Sequence, residues 1–150
     1  MKNMKLYIDV DGVLLGKTSS EISDIIFAKH AKEFLEFSLA YFECYWLTTH
    51  CKDNNSSNVI KYLSPYIDKE ILELLLNIKP TKWDTLKTEA INLESNFYWI
   101  DDAPLYSEKA ALKKYGVFNR WIEINTRKHP DNLMQIIEIL SFKILGNKKV

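Results

Sequence analysis

Short apolar runs alternate with longer amphipathic stretches along this chain, and the alternation predicts strands and helices in turn. Met4 to Asp9 reads as a short buried strand that ends in carboxylates. From Glu21 to Leu39 the apolar residues Ile22, Ile25, Ile26, Ala31, Phe34, Leu35 and Leu39 fall at helical spacing, with Ser19 and Ser20 as N-cap candidates. Cys44 to Leu47 is a second apolar strand, ending at Thr48-Thr49. Asn54 to Leu63 reads as a helix stopped by Pro65. Lys69 to Asn77 is Leu-rich, and periodicity leaves helix and strand both open. Thr81 to Asn92 reads as a helix after Pro80, and Phe97 to Ile100 as a third clear strand ending at Asp101-Asp102. Ser107 to Tyr115 is helical, with Gly116 suited to stop it. Trp121 to Ile124 is another strand, and Asp131 to Leu145 a final amphipathic helix.

Strands alternating with helices imply βαβ units. The expected fold class is α/β: a three-layer, Rossmann-like, mainly parallel sheet with helices on both faces. No repeat or Pro/Gly/Ser-rich linker divides the chain, so residues 1–150 are read as one domain. Open sheets of this kind bind ligands beyond the carboxyl ends of their strands.

Composition narrows the picture. With 47% hydrophobic and 27% charged residues, a chain of 150 can bury a good core without disulfides. Lys+Arg and Asp+Glu both number 20, so no globally basic nucleic-acid surface is indicated. Cys44 and Cys51 read as unpaired thiols in a reducing compartment. A zinc site built on His50 and Cys51 lacks two further ligands at any recognisable spacing. The first apolar run is too short for a signal peptide, and no stretch reaches transmembrane length. The expectation is a cytoplasmic protein with no membrane partner, and nothing indicates an oligomer.

Three strands deliver carboxylates or hydroxyls to one sheet edge: Asp9-Val10-Asp11-Gly12, Thr48-Thr49-His50 and Asp101-Asp102. Carboxylates gathered in one cleft repel, and one would keep its proton unless a cation joined them. Mg²⁺ suits such a site, because it takes oxygen ligands and leaves room for a substrate phosphate. A carboxylate can also attack phosphorus and form an aspartyl-phosphate. A second carboxyl two residues on can protonate the leaving oxygen and later activate water.

These residues resemble the haloacid dehalogenase superfamily of phosphohydrolases. The resemblance rests on four motifs in order from Asp9 to Asp102: Asp9-Val10-Asp11-Gly12-Val13-Leu14, Tyr45-Trp46-Leu47-Thr48, Lys82 within Pro80-Thr81-Lys82-Trp83-Asp84, and Tyr98-Trp99-Ile100-Asp101-Asp102. It implies that Asp9 is the nucleophile and a metal ligand. Asp11 would be the general acid and base, with its backbone carbonyl on Mg²⁺. Thr48 would bind the phosphoryl group, with Thr49 as its rival, and Lys82 would neutralise the aspartyl-phosphate, with Lys79 and Lys87 close by. Asp101 and Asp102 would complete the metal site. His50 reads as a loop residue near the site, and Arg120, Arg127 and Lys128 as solvated charges.

The spacing leaves no room for a full cap domain between the motifs. A capless or minimal-cap phosphatase is therefore expected, acting on a phosphomonoester: a small molecule, a phosphoprotein or a nucleic-acid end. The competing readings are a non-catalytic binding module on the same fold and a phosphotransferase or mutase using the same carboxylates.

Overall fold

The structure is a computed structural model that describes residues 3–19 and 24–147. Four strands form one sheet: β1 (Lys5–Ile8), β4 (Glu43–Trp46), β5 (Phe97–Asp101) and β6 (Trp121–Glu123). They lie in the order β4-β1-β5-β6, and every pairing is parallel. The register sets Ile8 opposite Trp46 on one side and Ile100 on the other. The residues that follow these positions therefore emerge together at one edge.

Burial explains why these strands read as unbroken apolar runs. All five residues of β5 are buried, as expected for a parallel strand covered on both faces. Side chains alternate between the two faces. Leu6, Ile8, Tyr98 and Ile100 join a cluster with Phe34 and Leu35 of α1 (Ala31–Tyr41) and Leu133, Ile136 and Leu140 of α5 (Asn132–Asn147). Tyr7, Phe97 and Trp99 turn the other way, to Leu112 of α4 (Tyr106–Lys114) and to Trp83 and Ile91. Gly116 follows α4 with φ 70°, as a helix stop of this type requires. No helix among the described residues is long and apolar enough to cross a membrane.

Two expected helices are not formed as read. Within the 21–39 stretch, Ile25–Phe27 is a strand, β3, paired antiparallel with β2 (Leu15–Lys17). The helix starts only at Ala31, after His30 takes a left-handed conformation at φ 68°. Ser19 lies in a bend, and Ser20 to Ser23 lie outside the described residues. The apolar spacing that suggested one long helix therefore belongs to a strand followed by a shorter helix.

The second correction concerns residues 81–92, where only a 3-10 turn over Lys87–Ala90 forms. Hydrogen bonds to an adjacent loop replace the i−4 ladder. Trp83 N–H donates to the Lys52 carbonyl at 3.1 Å, and the Thr81 carbonyl accepts from Asn54 N–H at 3.0 Å. The Thr81 hydroxyl donates to the Trp46 carbonyl at 2.6 Å, and the Trp83 indole to the Cys51 carbonyl at 3.0 Å. The open stretch 69–77 is settled as helix α3 (Lys69–Leu75), capped by the Asp68 carboxylate. Before it lies α2 (Ser57–Leu63).

Gly12 has a constraint of its own. Its φ is 77°, and a Cβ there would overlap the Asp102 carboxylate. A left-handed L-residue costs about 1–2 kcal/mol. Gly116→Ala, at φ 70° with open space around it, should cost about that much in urea unfolding. Gly12→Ala should cost more, roughly 2–4 kcal/mol, because half-buried Asp102 must also shift. Equal costs at the two positions would contradict this close approach.

Candidate active site

Each strand places its chemistry by ending where it does. Asp9 follows β1, and its N–H donates to the Ile100 carbonyl of β5 at 3.1 Å. This bond extends the sheet by one residue and fixes the Asp9 backbone. Asp101 closes β5, and Asp102 comes next. Thr48, fully buried, lies two residues beyond β4, and its hydroxyl accepts from His50 N–H at 3.3 Å. Thr49 is exposed and turns toward a cavity of about 300 Å³ shared with Lys52, Trp83 and Lys87.

Asp9, Asp101 and Asp102 converge. Each offers a carboxylate oxygen, and the three oxygens lie within 4.8 Å of one another. Asp9 is 6% exposed and Asp101 1%. Burial pushes the Asp9 carboxyl up to about 8, with the Asp101 charge adding to it and Lys87 opposing it. Burial, then Asp101, also holds Asp102 above the usual carboxylate range.

The lysine that meets these carboxylates is Lys87 rather than Lys82. Lys87 Nζ lies 2.7 Å from Asp101 Oδ2 and 3.4 Å from Asp9 Oδ2. Burial pulls its ammonium down, yet the two carboxylates outweigh burial and hold it above the ordinary lysine value. Lys82 is exposed, and its backbone bridges to Asp53. The shift from 82 to 87 follows from the missing helix, since an irregular 81–86 segment carries the chain onward before the turn at Lys87.

A buried carboxylate that sequence reading did not single out fixes Lys87. Glu108 is 2% exposed. Its Oε2 accepts from Lys87 N–H at 2.5 Å, and its Oε1 accepts from Leu105 N–H at 2.8 Å at the start of α4. Glu89 accepts from the N–H groups of Asp84 and Leu86 at 3.0 and 2.9 Å. Two glutamates thus hold the backbone that delivers the lysine. Glu108 at the third position of α4 is a capping signal readable in sequence. Its second bond, to a residue twenty-one positions away, is not.

Asp11 stands apart from the three converging carboxylates. Tyr62 of α2 donates to its Oδ1 at 2.7 Å, and His50 Nε2 lies 3.0 Å from its Oδ2. The Asp11 bond comes first among the causes that push the Tyr62 phenol up to about 12, so this hydroxyl remains a donor at neutral pH. Arg127 Nη2 approaches Asp11 Oδ1 at 3.7 Å. Its loop is tied to the first motif, because Thr126 N–H donates to the Gly12 carbonyl at 2.8 Å. His50 and Arg127, read from sequence as loop and solvent residues, both reach Asp11. Cys51, by contrast, faces the Thr81 carbonyl at 3.6 Å.

The three carboxylates fit a divalent cation, since one ammonium leaves their charge uncompensated. Mg²⁺ is the hard, oxygen-seeking ion this donor set suits.

No protein-family model matches the chain, and no curated protein matches it either. Its own atoms make a thermal prediction. The folded state favours the protonated Asp9, whose carboxyl is raised from 3.8 to about 8. The stability it contributes is present below pH 3.8 and is lost as pH rises through about 8. Without metal, the chain should therefore lose stability between about pH 5 and pH 8, and Asp9→Asn should flatten that slope. Millimolar Mg²⁺ should raise the Tm by several degrees near pH 8 and by little near pH 5, as read by differential scanning calorimetry. A Tm shift independent of pH would contradict this account.

Proposed function

We propose that this protein is a Mg²⁺-dependent phosphohydrolase that cleaves a phosphomonoester through an aspartyl-phosphate on Asp9. The observation that carries the proposal is the buried meeting of Asp9 with Asp101, Asp102 and Lys87 at the carboxyl ends of adjacent parallel strands. The sequence resemblance to haloacid dehalogenase-like hydrolases supports the same reading, as does the strand order β4-β1-β5-β6, which gathers three of the four motifs at one edge. In this reading the sheet is the middle of three Rossmann-like layers. The helices α2 and α3 between the second and third motifs are the minimal remnant of a cap.

The chemistry divides between two carboxylates. The Asp9 oxygen attacks phosphorus, and the bond to the leaving oxygen breaks. Asp11 gives that oxygen a proton, then takes one from the water that attacks the aspartyl-phosphate and frees inorganic phosphate. Lys87 sets its charge against the phosphoryl oxygens and keeps Asp9 oriented. By the sequence resemblance, Thr48 would hydrogen-bond the transferring group. Bound Mg²⁺ would neutralise phosphate charge and align it for in-line attack.

Two contrasts test the proposal with an aryl phosphate and Mg²⁺. Asp9→Asn and excess EDTA should each reduce turnover by about a thousandfold or more. Lys87→Ala should cost about a hundredfold, and Lys82→Ala less than about twofold. Undiminished turnover by Asp9→Asn would overturn the nucleophile, and a larger loss at Lys82 than at Lys87 would overturn the lysine. Transfer of the phosphoryl group to an added alcohol in place of free phosphate would identify a transferase.

A further inference from the structure

We propose that the groove beside Asp11, lined by His50, Lys61, Tyr62 and Tyr66, is the leaving-group subsite and takes a ring-bearing group with additional negative charge. This inference rests on the phosphohydrolase reading, because the role of Asp11 defines where the leaving group must lie.

A general acid must come within about 2.6–3.2 Å of the oxygen it protonates. The leaving oxygen therefore sits one hydrogen bond from the Asp11 carboxylate. That carboxylate touches Tyr62 through Oδ1 and His50 through Oδ2, with Arg127 on the same oxygen as Tyr62. Whatever is attached to the leaving oxygen meets these side chains first. Lys87 lies against Asp9 and Asp101, at the phosphoryl end, and the cavity that it lines is bordered by neither His50 nor Tyr62. A cavity of about 990 Å³ is lined by residues that include Phe42, Glu43 and Cys44. These three stand at the start of β4, the opposite end of that strand from Thr48.

Outward from Asp11 the surface opens into a groove of about 500 Å³. Its chemistry is uneven. The His50 and Tyr62 rings stack with centroids 3.8 Å apart and planes 20° from parallel. Tyr62 is 38% exposed and Tyr66 37%, and Pro65 lies between α2 and Tyr66 in the wall. Flat apolar surface of this kind gains most from another ring. Lys61 is exposed in the same wall, and among the described residues Asn58 is the one amide and no carboxylate lines it. Arg127 adds a second cation at the Asp11 end. A polyhydroxylated leaving group would find few acceptors here, whereas an anionic ring finds both stacking surface and charge.

The test uses the full chain carrying Asp9→Asn, which removes the proposed nucleophile so that esters are not turned over, in Mg²⁺ by titration calorimetry. The probes are glycerol 2-phosphate, phenyl phosphate and 4-carboxyphenyl phosphate. The expected order is 4-carboxyphenyl tightest, phenyl next and glycerol weakest, with about tenfold or more between the ends. Adding Tyr62→Ala should weaken both aryl esters about tenfold and leave glycerol 2-phosphate within about twofold. Tyr62→Phe should keep the aryl preference, since it keeps the ring. Lys61→Glu should weaken 4-carboxyphenyl phosphate about tenfold and phenyl phosphate less than twofold. Equal affinity for the three esters, equal losses across them, or no binding of either aryl ester would overturn the subsite. If the aryl preference holds while the unmutated chain hydrolyses no phosphate ester, the phosphohydrolase reading fails and the subsite stands as a binding site.

Discussion

Repulsion among three carboxylates is the constraint that the rest of this structure answers. Asp9, Asp101 and Asp102 bring oxygens within 4.8 Å of one another in a largely buried place. At an effective dielectric of about 20, each pair of unit charges at that separation costs about 3–4 kcal/mol. The Lys87 ammonium, 2.7 Å from Asp101 and 3.4 Å from Asp9, returns about as much on the same scale, but it leaves a net negative charge that burial makes costly. The chain therefore either keeps a proton on Asp9 or gathers a cation. Burial first, and the Asp101 charge after it, push the Asp9 carboxyl up to about 8, which expresses that choice.

Much of the surrounding architecture keeps this unfavourable cluster together. The parallel register of β1 against β5 leaves Asp9 and Asp101 no freedom to separate, because the strands beneath them are buried on both faces. Gly12 lets Asp102 approach the first motif where any side chain would block it. Glu108 and Glu89 hold the 84–87 backbone, so Lys87 arrives already placed and loses little conformational freedom at the site. Tyr62 and His50 hold the Asp11 carboxylate outside the cluster, at 2.7 and 3.0 Å.

Sequence made the sheet legible because parallel strands buried on both faces leave continuous apolar runs, as in Phe97-Tyr98-Trp99-Ile100. The carboxylates were legible for the same reason, since each follows such a run directly. Segments whose backbone bonds to distant partners were not legible. The 81–86 stretch has helical composition, yet Trp83 N–H and the Thr81 carbonyl go to residues 52 and 54, about thirty positions away, and the N–H groups of Asp84 and Leu86 go to the Glu89 carboxylate. The lysine that meets the carboxylates is consequently Lys87, five residues beyond Lys82. The β2–β3 hairpin escaped because Ile25 and Ile26 also fit a helical period, and only pairing with Leu15–Lys17 decides between the two. His50, Tyr62 and Arg127 meet around Asp11 from separate loops and a helix, a tertiary fact without a local signal.

The central claim is that Asp9 becomes phosphorylated. Borohydride reduces an acyl phosphate to an alcohol, which would convert a phosphorylated aspartate to homoserine. The chain should be incubated with Mg²⁺ and an aryl phosphate, quenched in borohydride, digested and sequenced by mass spectrometry. The account predicts homoserine at position 9, dependent on both the phosphate ester and Mg²⁺. Homoserine at Asp11, Asp101 or Asp102, or hydrolysis proceeding with no homoserine at position 9, would contradict it.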